Sequence, residues 1–153
     1  MHLRKVLALV VVGGVALSAV LVSAQAKQTK QTKAPATKRS RVFFVEPKNG
    51  ATVTSPAHLK FGSQGIQIAA VPPGEVTKTR PGVGHYHVGV DEACLAPGKT
   101  IVKGTPSWVH FGDGKSEIDM QLTPGKHKLA LQMGDDLHNT LPGFCSIITV
   151  TVK

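Results

Sequence analysis

The sequence predicts an all-β domain, an immunoglobulin-like antiparallel sandwich of about seven strands, over residues 42–153. Three observations carry this. Apolar residues recur with a period of two in short runs, and Pro, Gly, Asn and Asp cluster between the runs at regular intervals. No stretch of this region holds the 3.6-residue period of a helix, and its length suits a sandwich of ~100 residues.

Two segments precede the domain. Residues 1–26 read as a signal peptide: "MHLRK" is basic, Val6 to Val22 is apolar, and "AQA" offers small residues for cleavage. Gly13 and Gly14 interrupt the apolar run, which suits a removable signal better than a permanent membrane span. Export to the periplasm or beyond follows. Residues 27–41, "KQTKQTKAPATKRSR", contain no large apolar side chain and are expected to be a disordered basic leader. Such a leader suits an anionic surface or an envelope protein as a partner.

The chain carries 18 basic and 9 acidic residues, a net charge of +9. Eight of the basic residues precede Val42, so ten remain against all nine acids and the domain is nearly neutral. With no basic stripe interleaved with aromatics, nucleic acid is not the expected partner.

Within the domain "RVFFV" is a first strand closed by the turn "PKNG". "HLKFG" alternates, with Leu59 and Phe61 inward and His58 and Lys60 outward. "GIQIA" extends or follows it, and "VPPGEVTKTRPGVG" is a Pro/Gly-rich loop. "HYHVGVD" and "SWVHF" are strands, and "GDG" leads into "SEIDMQL", where Ile118, Met120 and Leu122 face in. "TPGK" has the Pro-Gly centre of a type II turn. "HKLALQM" then points Leu129, Leu131 and Met133 inward, and "SIITVTV" closes the chain.

Cys94, after the "HYHVGVD" strand, and Cys145, at the start of the last one, predict a disulfide in an exported chain, on strands that can be neighbours in a sandwich. Their wide spacing lacks the CxxC pattern of a reactive pair.

The histidines carry the functional question. His58 shares the parity of Lys60 and reads as solvated. His127 shares the parity of Leu129 and reads as structural, its ring bonding backbone at the core edge. Along "GHYHVGVD", Tyr86, Val88 and Val90 take the apolar parity and leave His85, His87, Gly89 and Asp91 on the opposite face. Two histidines there are either a pair of metal ligands or polar residues on the wet face of a strand. Gly89 beside them leaves room. His110 ends the "SWVH" run and His138 sits in the loop "GDDLHN", so all four reach one pole of a sandwich if these ends converge. Imidazoles with an open position suit copper or zinc. Met120 and Met133 read as core, not as copper ligands.

These segments together resemble a known family. "VFFVEPKNGATVTSP", "GHYHVGVD", "HFGDGKSEIDMQLTPGKHKLALQMGDDLH" and "ITVTVK" are similar to exported bacterial proteins grouped as domain of unknown function 4399. The resemblance implies the fold, export and recurring histidines at His85, His87, His110, His127 and His138; it implies no activity. Tyr86 departs from it, standing where a middle histidine is common, and "GKSE" brings Lys115 towards the same pole.

A catalytic motif is absent. There is no GxSxG element, Ser107 and Ser116 have no evident base, and Glu117 and Asp119 read as solubilising residues. A zinc hydrolase would need Asp91 or Asp113 as its base. The expectation is therefore a non-enzymatic exported protein with a histidine-built metal site. The alternative is an envelope interaction module with no metal, using Tyr86, Trp108 and the leader as contacts; Trp108 reads equally well as a structural core residue.

Overall fold

The computed structural model describes residues 39–153 apart from residue 103, so the expected signal peptide and all but the last three residues of the leader lie outside it. Among the described residues nine strands form: β1 (Arg41–Glu46), β2 (Thr52–Val53), β3 (Ala57–Gln64), β4 (Gln67–Ile68), β5 (Val83–Val90), β6 (Trp108–His110), β7 (Glu117–Met120), β8 (Gly125–Gly134) and β9 (Thr140–Val152). Seven have three or more residues, in line with the expected number, and two are two-residue additions. No helix among the described residues is long and apolar enough to cross a membrane.

The strands divide into a three-stranded sheet, β1-β3-β7, and a six-stranded sheet, β2-β9-β8-β5-β4, with β6 also on β5. The longer strands pair antiparallel, while β2 on β9 and β4 on β5 are parallel. Taken in chain order, β1-β3-β7 and β9-β8-β5 correspond to the A-B-E and G-F-C strands of an immunoglobulin sandwich.

Alternation builds the core. Val42, Phe44, Leu59, Phe61 and Met120 from one sheet meet Tyr86, Val88, Leu129, Leu131, Met133, Ile148 and Val150 from the other, all buried. Phe61 is its hub, with ring centroids 5.7, 5.3 and 5.2 Å from Phe44, Tyr86 and Phe111. Each such side chain contributes ~1.5–3 kcal/mol on burial. The "PKNG" turn docks on β9: Gly50, at φ 81°, donates its N–H to the Thr149 carbonyl, and Thr149 N–H donates to Asn49 Oδ1.

Four expectations need correction. Arg41 is not leader but, as expected of the "RVFFV" strand, the first residue of β1, paired with Gln64 and with its guanidinium 5.0 Å from the Phe43 ring centroid. "TPGK" is not a type II turn: Gly125, at φ 133°, already pairs with Val152, because the chain is crossing between sheets there. The last strand begins at Thr140, so Cys145 lies within it. The bridged cysteines are not on neighbouring strands, because β8 lies between β5 and β9.

That last point explains the outer face of the larger sheet. The disulfide Cys94–Cys145, with Cα atoms 6.1 Å apart, ties the segment after β5 across β8 to β9. Beneath it the Gln132 amide accepts from Leu95 N–H at 2.9 Å and donates to the Leu95 carbonyl at 2.8 Å. Ile101, Trp108 and Ala130 form a second buried cluster there. Trp108 is thus a core residue of this outer layer, not of the space between the sheets. β8 is consequently buried on both faces from Leu129 to Gly134.

Candidate metal centre

His85 and His87 leave the outward face of β5, and both are fully buried. The wet-face reading fails because irregular segments, not a regular element, cover this half of the sheet. β6 pairs beside β5 with His87 opposite His110, which brings the third ring alongside. The fourth arrives from the five-residue loop between Gly134 and Thr140. In that loop Asp135 Oδ1 accepts from Leu137 and Asn139 N–H, and the Asp135 carbonyl accepts from His138 N–H. These bonds hold His138 at φ 66°, a left-handed conformation that histidine tolerates better than most residues.

One potential ligand atom from each of His85, His87, His110 and His138 lies within 4.8 Å of the others. His110 Nε2 stands 3.1 Å from His85 Nε2 and 2.9 Å from His138 Nε2. A neutral imidazole nitrogen is either a donor or an acceptor, so hydrogen bonds alone satisfy this row of three poorly. His85 Nδ1 and both nitrogens of His87 are buried with no hydrogen-bond partner. Burial, reinforced by the neighbouring histidines, pushes the His85 pKa down to about 3 and that of His87 to about 2. Both rings are neutral donors at pH 7.

Two glycines make the space. A Cβ on Gly134 would come within 2.6 Å of His87 Cε1, and one on Gly112 within 2.7 Å of His110 Nε2. Gly89 does not serve this purpose: its missing side chain is replaced by the Trp108 indole, 3.0 Å from the ideal Cβ position.

The other residues singled out in the sequence lie elsewhere. His58 is exposed and bonded to Asp119 at 2.8 Å. His127 is buried at the far end of β5 and β8; its Nδ1 meets Asp91 Oδ2 at 2.9 Å and its Nε2 the Thr123 carbonyl at 2.8 Å. Acceptors on both nitrogens favour the imidazolium, and the Asp91 hydrogen bond raises its pKa most. Asp91 is thereby committed to His127 and to Lys128 N–H, and Asp113 pairs with Lys115 on the surface. Neither is a base beside the histidines. Tyr86 and Trp108 are both buried, at 2% and 8% exposure, so the proposed aromatic recognition surface does not exist.

Sequence reasoning missed Asp136 and Arg80. The Asp136 carboxylate is buried in the His138 loop and takes three hydrogen bonds from Arg80, two from the guanidinium and one from the backbone N–H, at 2.7–3.0 Å. These bonds hold its pKa below the usual carboxylate range. Arg80 is 56 residues away in a Pro/Gly-rich loop, and no local pattern signals the pair.

A family model, "Domain of unknown function (DUF4399)", matches residues 59–153. The four histidines fall inside the match, and "VFFVEPKNGATVTSP" precedes it. No curated protein and no solved structure matches.

Proposed function

We propose that the chain, which belongs to the DUF4399 family, is an exported protein that holds one copper(II) or zinc(II) ion on His85, His87, His110 and His138. The observation that carries this is His87, fully buried with neither nitrogen partnered, packed among three more imidazoles. Each buried polar group left without a partner costs ~1–3 kcal/mol, and a shared cation would offset several at once.

The donor set supports a borderline transition metal. It is all nitrogen, with His85 and His87 already neutral, and free of thiolate or thioether, since Met120 and Met133 pack in the core between the sheets. The general affinity order of nitrogen sites favours copper(II) where both metals are free. Binding without catalysis is supported by the commitment of Asp91 and Asp113 elsewhere. Export is supported by the signal-like N-terminus and by a disulfide, which suits an oxidising compartment.

Calorimetric titration with copper(II) or zinc(II) at neutral pH tests the reading. The wild type should bind with a stoichiometry near one. His85→Gln/His87→Gln should lose affinity by orders of magnitude, and His58→Gln should lose none. Equal, weak, multi-site binding by all three would overturn the proposal and leave the metal-free envelope module in the lead.

A further inference from the structure

We infer that Arg80 and Asp136 are positioning residues of the histidine centre and that their ion pair latches the route by which the ion enters and leaves. The inference rests on the metal-binding reading above and adds a control point to it.

The four histidines divide into two mechanical classes. His85 and His87 belong to β5, which is hydrogen-bonded to β8 along its length and fixed in the core sheet. His110 is the last residue of β6, and His138 lies on a loop; both are only half-buried. One segment, residues 69–82, ties down both of these peripheral ligands. Val71 N–H donates to the Gly112 carbonyl at 2.9 Å, just beyond His110, and Gly114 packs against the backbone of Ala70 with no room for a Cβ. At its other end Arg80 grips Asp136, two residues before His138. The same guanidinium donates to the Ala70 carbonyl at 2.7 Å and so closes the segment on itself.

Asp136 is the only fully buried carboxylate among the described residues. A buried carboxylate is strongly unfavourable without its partner, so the Arg80 fork determines where the His138 loop sits. Along the seam between the two segments runs a cleft of about 220 Å³ lined by Val71, Gly74, Val76, Asp136, Leu137 and His138. It is partly open to solvent, and His138 is among its lining residues. Widening this seam means separating Arg80 from Asp136, and nothing on β5 need move.

The test is the rate at which the zinc-loaded full-length chain surrenders zinc to excess chelator, followed by stopped flow. Arg80→Gln should accelerate release by about tenfold or more, within the range of outer-shell substitutions at metal sites. The stoichiometry should stay at one, because all four ligands remain. Arg80→Lys, which keeps charge but not the fork, should accelerate it too. If Arg80→Gln strands Asp136 and fails to fold, Arg80→Gln/Asp136→Asn removes both charges and should show the same acceleration. His127→Gln is the control: it lowers stability at the far end of the sandwich and should leave release unchanged. Release within about twofold of wild type in the folded latch variants, or equal acceleration in His127→Gln, would overturn the latch while leaving the metal site standing. A wild type that holds no zinc moves the same release measurement to copper(II), and one that holds neither metal would overturn both.

Discussion

Burying two neutral imidazoles should make the metal-free protein sensitive to mild acid, and the size of the effect follows from the structure. His85 and His87 titrate at about 3 and about 2 in the folded chain, against ~6.5 once unfolded. Between these values the unfolded state binds protons that the folded state does not, so stability falls as the pH drops through ~6.5. At pH ~7.5 the cost is negligible. At pH ~5 each histidine costs about 2 kcal/mol and the two together about 4 kcal/mol, insensitive to the folded value provided that it lies below ~4. That is a large fraction of the ~5–15 kcal/mol available to a typical domain. His127 pulls the other way, because its raised pKa gives stability that is present in acid and lost as pH rises. Urea denaturation of the metal-free chain at the two pH values measures the difference, and His85→Gln/His87→Gln supplies the reference. The wild type should lose about 4 kcal/mol more than the double variant. Equal losses would mean that the two rings titrate as exposed histidines, and the burial argument would fail.

Three further outcomes are expected. Gly134→Ala drives a Cβ towards the His87 ring and should cost ~1–3 kcal/mol in urea denaturation, together with a measurable loss of metal affinity; unchanged stability would show that the ring is free to move aside. Non-reducing mass analysis should find Cys94 joined to Cys145, and replacing both by Ala should cost up to ~4 kcal/mol for a closure of 51 residues; two free thiols in exported protein would refute it. His127→Gln should destabilise most between pH ~4 and ~6.5, where Asp91 is ionised and the imidazolium persists; a penalty that grows steadily above pH 8 would contradict the assigned pair.

Most of the sandwich was legible because its inner faces alternate. Leu59, Phe61, Leu129, Leu131 and Met133 declare the buried side of their strands by parity alone. The outer face was not legible, since what covers it is loop, and loops carry no period. Nothing in "HYHVGVD" distinguishes a face open to water from one roofed by residues 69–82 and 135–139. The signal that was present is size: Ala130 and Gly134 on β8 and Gly89 on β5 are small at outward positions, as close cover demands. The four histidines were legible as a set, but their convergence depends on β6 pairing with β5 and on the left-handed turn at His138. The Arg80–Asp136 pair joins two loops 56 residues apart, a separation at which sequence pattern is silent.

The disulfide acts on the histidines even before the domain folds. His87 lies seven residues before Cys94, and His138 lies seven residues before Cys145. In the oxidised but unfolded chain these two imidazoles are therefore separated by a path of roughly fourteen residues through the sulfurs, instead of the 51 along the backbone. Loop-closure entropy scales as (3/2)RT ln n, so the shortcut is worth about 1 kcal/mol, or roughly a sevenfold higher effective concentration of one ring near the other. An ion met during folding would find half of its ligands already brought into each other's neighbourhood. If the site takes a metal, the sulfur bond would thus prepare the encounter that the folded strands complete.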